Sequence, residues 1–337
     1  MNTKSGSIGN SMINMVLDPS HDGWVLGGMF QDFLRQKPDV FAKNPIFLPA
    51  PNSPSNIFKW FTRCLKIRKS KLILFSSLTP FENYLKFPSR KDKQLIGLWY
   101  THKEADFKYF EKRALRKADI IFLHSFRESD QLKKFTDARL IKVIGGVNEK
   151  LFEQPARKGE KIVWVGTPVS RKRPELILEV AKKTPSLDFR VIGKGWKESK
   201  FWSALNELEN VEYMELDGPL SSTWLDGCSI YLMTSRVEGG PMPLLETLAA
   251  GLFPIATRTG FVEDLFELAG VPSSFILDDC GARDFMDAIF SARDLLATGF
   301  EVNAKNVLDL NLDRISSMIS SNFRDLERVR RTELTTN

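Results

Sequence analysis

Short apolar runs alternate along this chain with stretches in which apolar positions recur at helical spacing. Met12–Asp18, Ile46–Leu48, Leu72–Phe75, Leu95–Tyr100, Ala118–Ser125 and Leu140–Ile144 read as strands in the first half. Lys161–Gly166, Phe189–Ile192, Val211–Leu216, Ile230–Met233, Pro254–Thr257 and Ser274–Leu277 read as strands in the second. Several lack the polar alternation of a half-exposed strand, as expected for parallel strands covered on both faces. Helical stretches run from Leu26 to about Gln36, Ile57 to Lys71, Glu175 to Lys183, Pro241 to Gly251, Ala282 to Leu296 and Asp313 to Arg331. The alternation predicts an α/β fold with parallel sheets. At 337 residues the chain is long enough for two domains. The polar segment Glu149–Glu160, with Pro155 and Gly159, reads as the linker between domains at 1–150 and 151–310.

The stretch richest in chemistry follows Ile230–Met233: Ser235-Arg236-Val237-Glu238-Gly239-Gly240-Pro241-Met242-Pro243-Leu244-Leu245-Glu246. Gly239 and Gly240 make a turn without side chains to obstruct a ligand. Pro241 suits the first helical position, where a missing N–H costs nothing, and Gly251 suits the stop. A strand, a Gly-Gly turn and a helix start together form an anion site, because the free N–H groups and the helix dipole favour negative charge. Glu238 and Glu246 bracket it with seven residues between them. Two carboxylates beside such a turn suggest a ligand with both phosphate and hydroxyl groups; a solvated stripe is the plain alternative for Glu246. Leu26-Gly27-Gly28-Met29 repeats the glycine pair at a helix start. Arg171-Lys172-Arg173 stands before Pro174, where three cations oppose the helix dipole unless an anion sits among them. His102 lies just past a strand end, where open α/β sheets bind ligands. His21 and Asp22 read as ordinary loop residues.

Glu-Gly-Gly-Pro-x-x-Leu-Leu-Glu-x-x-Ala-x-Gly, from Glu238 to Gly251, resembles the C-terminal domain of retaining GT-B-fold glycosyltransferases of the GT4 type (glycosyl transferases group 1). The likeness extends from about Lys161 to Gly270 and, more weakly, over the N-terminal half. It implies two Rossmann-like domains facing across a cleft, with the final helix, within 311–337, crossing back onto the first domain. It also implies a nucleotide-diphosphate sugar as donor, no cofactor, and transfer with retention to a glycan, lipid-linked or other hydroxyl acceptor. On that resemblance Glu246 accepts the ribose hydroxyls. Lys172, with Arg171 or Arg173 and the N–H groups of Gly239, Gly240 and Pro241's helix, neutralises the diphosphate. Glu238 contacts the sugar, His102 holds it from the first domain, and Gly166, Gly193, Gly27 and Gly28 bring backbone close to the donor. Thr167 stands where the family has arginine, which leaves a catalytically silent nucleotide-sugar-binding subunit or scaffold as the rival reading. No nucleophile for a double displacement is evident, so front-side attack is the expected route.

Charge changes the picture in one place. Residues 1–155 carry 26 Lys and Arg against 15 Asp and Glu, and residues 156–337 carry 22 against 27, giving +11 and −5 of the chain's +6. Between Ile57 and Lys71 lie six bases and no acid, interleaved with Ile57, Phe58, Trp60, Phe61 and Leu65. A basic amphipathic helix there is expected either to pack its apolar side inward or to lie on an anionic bilayer. Nucleic acid is not expected, for no recognised binding module or aromatic-studded basic sheet is apparent. No cysteine or histidine cluster has metal-ligand spacing, so metal-independent chemistry is expected. Cys64, Cys228 and Cys280 are few and odd in number and fit reduced packing residues. With a polar start, an apolar run at Met12–Leu17 too short for a leader, and no apolar run long enough to span a bilayer, a cytoplasmic protein, peripheral at most to the inner membrane face, is expected.

Overall fold

The computed structural model describes residues 12–19, 25–88, 93–101, 106–124, 129–278 and 280–336. These fall into two compact units, the first reaching Tyr100, resuming at 106–143 and again from Asp313, the second built on Ile144–Leu312.

In the first unit, β1 (Ile13–Leu17), β2 (Ile46–Phe47), β3 (Leu72–Phe75), β4 (Leu95–Tyr100), β5 (Ile120–Leu123) and β6 (Arg139–Lys142) form a parallel sheet in the order β2-β1-β3-β4-β5-β6. Met15 lies opposite Leu74, Leu74 opposite Gly97 and Gly97 opposite Ile120. Every residue of β3, β4 and β5 is buried, which is why these strands read as unbroken apolar runs. The described helices are α1 (Val25–Gln36), α2 (Pro54–Arg68), α3 (Leu78–Leu85), α4 (Tyr109–Lys117) and α5 (Ser129–Lys133). α2 begins three residues before Ile57 because Ser53 caps it. The Ser53 hydroxyl accepts the Asn56 N–H at 3.3 Å, and Pro54 fills the first turn. Cys64 and Ile67 of α2, Phe81 and Tyr84 of α3, Leu115 of α4 and Leu132 of α5 join one core with Phe75, Leu98 and Ile121. These four helices therefore share one face of the sheet, as right-handed crossovers require. On the other face Phe30 of α1 meets Trp99 edge-on, with ring centroids 5.5 Å apart.

The second unit contains β7 (Lys161–Val165), α6 (Pro174–Lys183), β8 (Phe189–Ile192), α7 (Trp202–Asn206), β9 (Val211–Met214), β10 (Cys228–Met233), α8 (Met242–Ala249), β11 (Phe253–Thr257), α9 (Val262–Ala269), β12 (Ile276–Leu277), α10 (Ala282–Ala297) and α11 (Ala304–Leu308). Its parallel sheet has the order β12-β11-β10-β7-β8-β9. The order reverses between β7 and β10, and open α/β sheets bind ligands beyond the carboxyl ends of the strands at such a point. The core beneath is continuous and includes Trp164 and Trp196, packed at 85° with centroids 5.4 Å apart.

The last helix, α12 (Leu312–Thr336), packs on the first unit, on the face that carries α1. Phe323 is fully buried and lies so close over β4 that a Cβ on Gly97 would come within 2.6 Å of its ring. Glycine in mid-strand is the signature of such an approach. Lys37 pairs with Asp313 at 2.9 Å, and the Arg330 guanidinium donates to the Gln94 carbonyl at 2.7 Å. The three cysteines are buried and free. Among the described residues no helix is long and apolar enough to cross a membrane.

Candidate functional site

At the reversal point two strand ends meet. β7 continues through Gly166 and Thr167 into a single 3-10 turn at Ser170–Lys172, then α6; β10 continues through Thr234 and Ser235 towards α8. The end of β10 grips the turn after β7. The Trp164 indole donates to the Thr234 hydroxyl at 2.9 Å, that hydroxyl donates to the Lys172 carbonyl at 2.6 Å, and the Arg236 N–H donates to the Arg171 carbonyl at 2.7 Å. Arg173 leaves the turn at φ 52°, the one positive φ outside glycine among the described residues. Its guanidinium donates to the Cys280 carbonyl. Of the two arginines considered as phosphate ligands, Arg171 therefore stands beside Lys172 and Arg173 does not.

Glu238 is the hub of the site. Its carboxylate accepts Lys172 Nζ at 2.7 Å, Arg171 Nη1 at 2.8 Å and the Ser235 hydroxyl at 2.9 Å, and its side chain is nearly closed to solvent. Burial alone would push its pKa up; the Lys172 and Arg171 charges and the hydrogen bonds outweigh that and hold the group below its ordinary value. The Glu238 N–H donates to the Thr259 hydroxyl at 2.8 Å.

Glu246, one turn into α8, behaves oppositely. Part of its surface stays accessible, but protein encloses the carboxyl on its other sides. That desolvation raises its pKa to about 7, with the Lys172 charge pulling back. Its carboxyl makes no hydrogen bond to another described residue, so its acceptor positions are available to an incoming donor.

Gly239 and Gly240 precede α8, and among the described residues their N–H groups donate to nothing. Gly260, at φ +58°, packs against them: a Cβ there would lie 2.5 Å from the Gly239 carbonyl. Pro241 corrects the sequence reading. It is the cap residue before α8, its carbonyl accepting the Leu244 N–H at 2.9 Å, and Pro243 is the proline inside the first turn. The N–H that Pro243 lacks leaves Gly239, Gly240 and Met242 as the free donors here. Gly166 and Gly193 meet backbone to backbone, since a Cβ on Gly193 would lie 1.9 Å from the Gly166 carbonyl. Thr167 sits in the loop beside them, partly exposed.

Gly27 and Gly28 fall in the first turn of α1, in the first unit. His102, His21 and Asp22 lie outside the described residues. Sequence reasoning missed Thr234, Ser235 and Thr259, the hydroxyls that position Lys172 and Glu238. The available signal was a Thr-Ser pair directly after an apolar strand at the ligand end of the sheet. Among the described residues no three His, Cys, Asp or Glu side chains are grouped as metal ligands.

Residues 147–292 match the family model for glycosyl transferases group 1. The O-antigen biosynthesis glycosyltransferase WbnH of Escherichia coli is 27% identical over 131 residues, 39% of this chain and 37% of that protein. An uncharacterized glycosyltransferase of Methanocaldococcus jannaschii is 27% identical over 157 residues, 45% of this chain and 44% of that protein. The chain thus spans less than half the length of the curated relatives it matches. Among solved structures, Anabaena HepE in complex with UDP-glucose superposes with a TM-score of 0.72 at 12% identity, covering 93% of this chain and 100% of that one. The sucrose-phosphate synthase of Thermosynechococcus elongatus superposes with a TM-score of 0.64 at 16% identity, covering 84% and 81%. At these identities the superpositions speak for the fold. The second unit carries the sequence pattern of glycosyl transferases group 1, and the chain has the α/β fold of GT-B glycosyltransferases.

Proposed function

We propose that the protein is a retaining, metal-independent glycosyltransferase of the GT4 type that moves a sugar from a nucleotide-diphosphate sugar to the hydroxyl of a glycan or lipid-linked acceptor. The observation that carries this reading is the grouping at one strand reversal of Lys172, Arg171, the free Gly239 and Gly240 N–H groups and the unpartnered Glu246 carboxyl. That set supplies positive charge and N–H donors for a diphosphate and a carboxylate for ribose hydroxyls. HepE, solved with UDP-glucose, supports a donor of the nucleotide-sugar class.

In the reaction the bond from the sugar C1 to the phosphate oxygen breaks, the acceptor oxygen bonds to C1, and its proton passes to the departing phosphate. Lys172, Arg171 and the N–H donors stabilise the charge that develops on that phosphate, where losing one such donor costs about 2.7–4 kcal/mol. They make leaving-group departure feasible without a metal ion. Glu238 holds the two cations until the donor arrives, then turns to the sugar; a further hold on the sugar by His102 rests on the family resemblance alone. Retention and the front-side route rest on the family resemblance. We place the protein in the cytoplasm, a reading supported by three free cysteines.

A second reading, a silent nucleotide-sugar-binding subunit, is favoured by one observation. Thr167 replaces a family arginine, and both remaining cations are engaged by Glu238. Calorimetry with a panel of nucleotide sugars, on the natural chain and on Glu246→Ala, tests the donor site. One nucleotide class should bind, and the variant should bind it at least about tenfold more weakly, since a charged hydrogen bond contributes about 1.5–3 kcal/mol. No binding, or equal binding by the variant, overturns the placement. Binding without turnover on any acceptor favours the second reading.

A further inference from the structure

α2 does not hide its apolar side. Trp60, Cys64 and Ile67 face the core, the Trp60 indole donating to the Asn83 carbonyl at 2.8 Å. Ile57, Phe58, Phe61 and Leu65 form a second apolar stripe that points to solvent, with Phe58 72% exposed. At a rise of about 1.5 Å per residue the stripe is about 12 Å long. Lys59, Lys66 and Lys69 flank it, exposed and paired with no carboxylate among the described residues. No acid occurs in the sequence between Lys43 and Phe81. α4, on the same face of the sheet and packed against α3, also exposes aromatic side chains in its first turn, where its one acid, Glu111, accepts the Lys108 N–H. Tyr109 is 74% and Phe110 52% exposed, their rings in edge contact at 5.3 Å, and Lys108, Arg113 and Lys117 are exposed nearby.

An exposed aromatic and aliphatic stripe has no reason to remain in water, and a surface this rich in cations repels a second copy of itself. Apolar side chains that reach the headgroup region, ringed by lysine and arginine, fit an anionic bilayer. We propose that the α2–α4 face of the first unit docks the protein on an anionic lipid membrane. Ile57, Phe58, Phe61 and Leu65 enter the interface with Tyr109 and Phe110, and the surrounding cations meet lipid phosphates. The proposal is independent of the donor site in the second unit.

Vesicle flotation without any nucleotide sugar tests it. The natural chain should float with vesicles of equal parts phosphatidylglycerol and phosphatidylcholine at low salt, and much less with phosphatidylcholine alone. Phe58→Ser with Phe61→Ser should weaken partitioning at least about tenfold, as loss of two buried aromatics implies. Lys59→Gln with Lys66→Gln and Lys69→Gln should weaken it about fivefold per cation and flatten its salt dependence. Tyr109→Ser with Phe110→Ser, on a different helix, gives an independent loss should the α2 variants misfold. Absence of flotation at low salt, equal flotation of all variants, or equal binding to uncharged vesicles overturns the proposal. So does a concentration-dependent dimer in sedimentation that the aromatic variants abolish, which would assign the face to a second copy.

Discussion

Glu246→Gln should stabilise the ligand-free chain, and by more as the pH rises. The Glu246 carboxyl has an ordinary value of 4.5 and is raised to about 7 in the folded chain, chiefly by burial. An acid with a raised folded pKa binds more protons folded than unfolded. Stability therefore falls as pH climbs from the unfolded value to the folded one and levels off above it. Integrating between those two values gives a destabilisation of about 1.4 kcal/mol at about pH 5.5 and about 3.3 kcal/mol at about pH 8. Glutamine has nearly the same shape and no charge at either pH, so whatever else it changes is common to both conditions. The advantage of the variant over the natural chain should thus grow by about 2 kcal/mol between the two pH values. Urea unfolding of both proteins at both pH values measures this directly, and the double difference cancels contributions from the first unit. An advantage that stays constant, or shrinks with rising pH, would refute the claim that this carboxyl is held desolvated without a partner.

Two further outcomes follow. Glu238→Gln releases Lys172 and Arg171 from their internal counter-charge, so inorganic pyrophosphate should bind this variant about tenfold more tightly in calorimetry, the scale of one charged hydrogen bond. Weaker binding would show that Glu238 organises the cations without competing for them. Gly193→Ala places a Cβ 1.9 Å from the Gly166 carbonyl, so it should lower stability by more than the roughly 1–3 kcal/mol of ordinary overpacking, seen as a depressed Tm.

All twelve strands were legible in the sequence: central ones such as β3, β4 and β5 because strands covered on both faces must be apolar throughout, and the partly exposed edge strands β6 and β9 because they keep two or three apolar positions among their charges. The helices were less so. α3 is short and almost wholly buried, from Pro80 to Leu85, so it shows no polar stripe to set its period apart from the strands beside it. α4 is dominated by charge and by the exposed Tyr109 and Phe110, which blurs the same signal. The glycines and acids of the site were readable because turn geometry and helix starts restrict which residues serve there. Which of Arg171 and Arg173 stays with Lys172 was not, since it depends on Arg173 adopting a left-handed backbone that only the packed turn enforces. The outward stripe of α2 was also hidden: spacing shows that a helix has two faces, but not which one the sheet covers.

The three cations before α6 posed an electrostatic problem that the folded chain solves internally. A helix N-terminus repels positive charge, yet Arg171 and Lys172 are held together beside one. Glu238 supplies the missing anion from the next strand end, within 2.8 Å of both. On the proposed function a diphosphate brings negative charge to the same two cations, so its binding is an exchange of one anion for another. Coulombic gain on arrival is offset by what Glu238 gives up, and with Thr167 offering no third cation the balance is narrow. The groups that tip it are those Glu238 does not occupy, the N–H donors of Gly239 and Gly240 and the Glu246 carboxyl. On the proposed function, specific recognition of the donor therefore rests on hydrogen bonds from the turn and from α8, while the charged cluster sets the cost of opening the site.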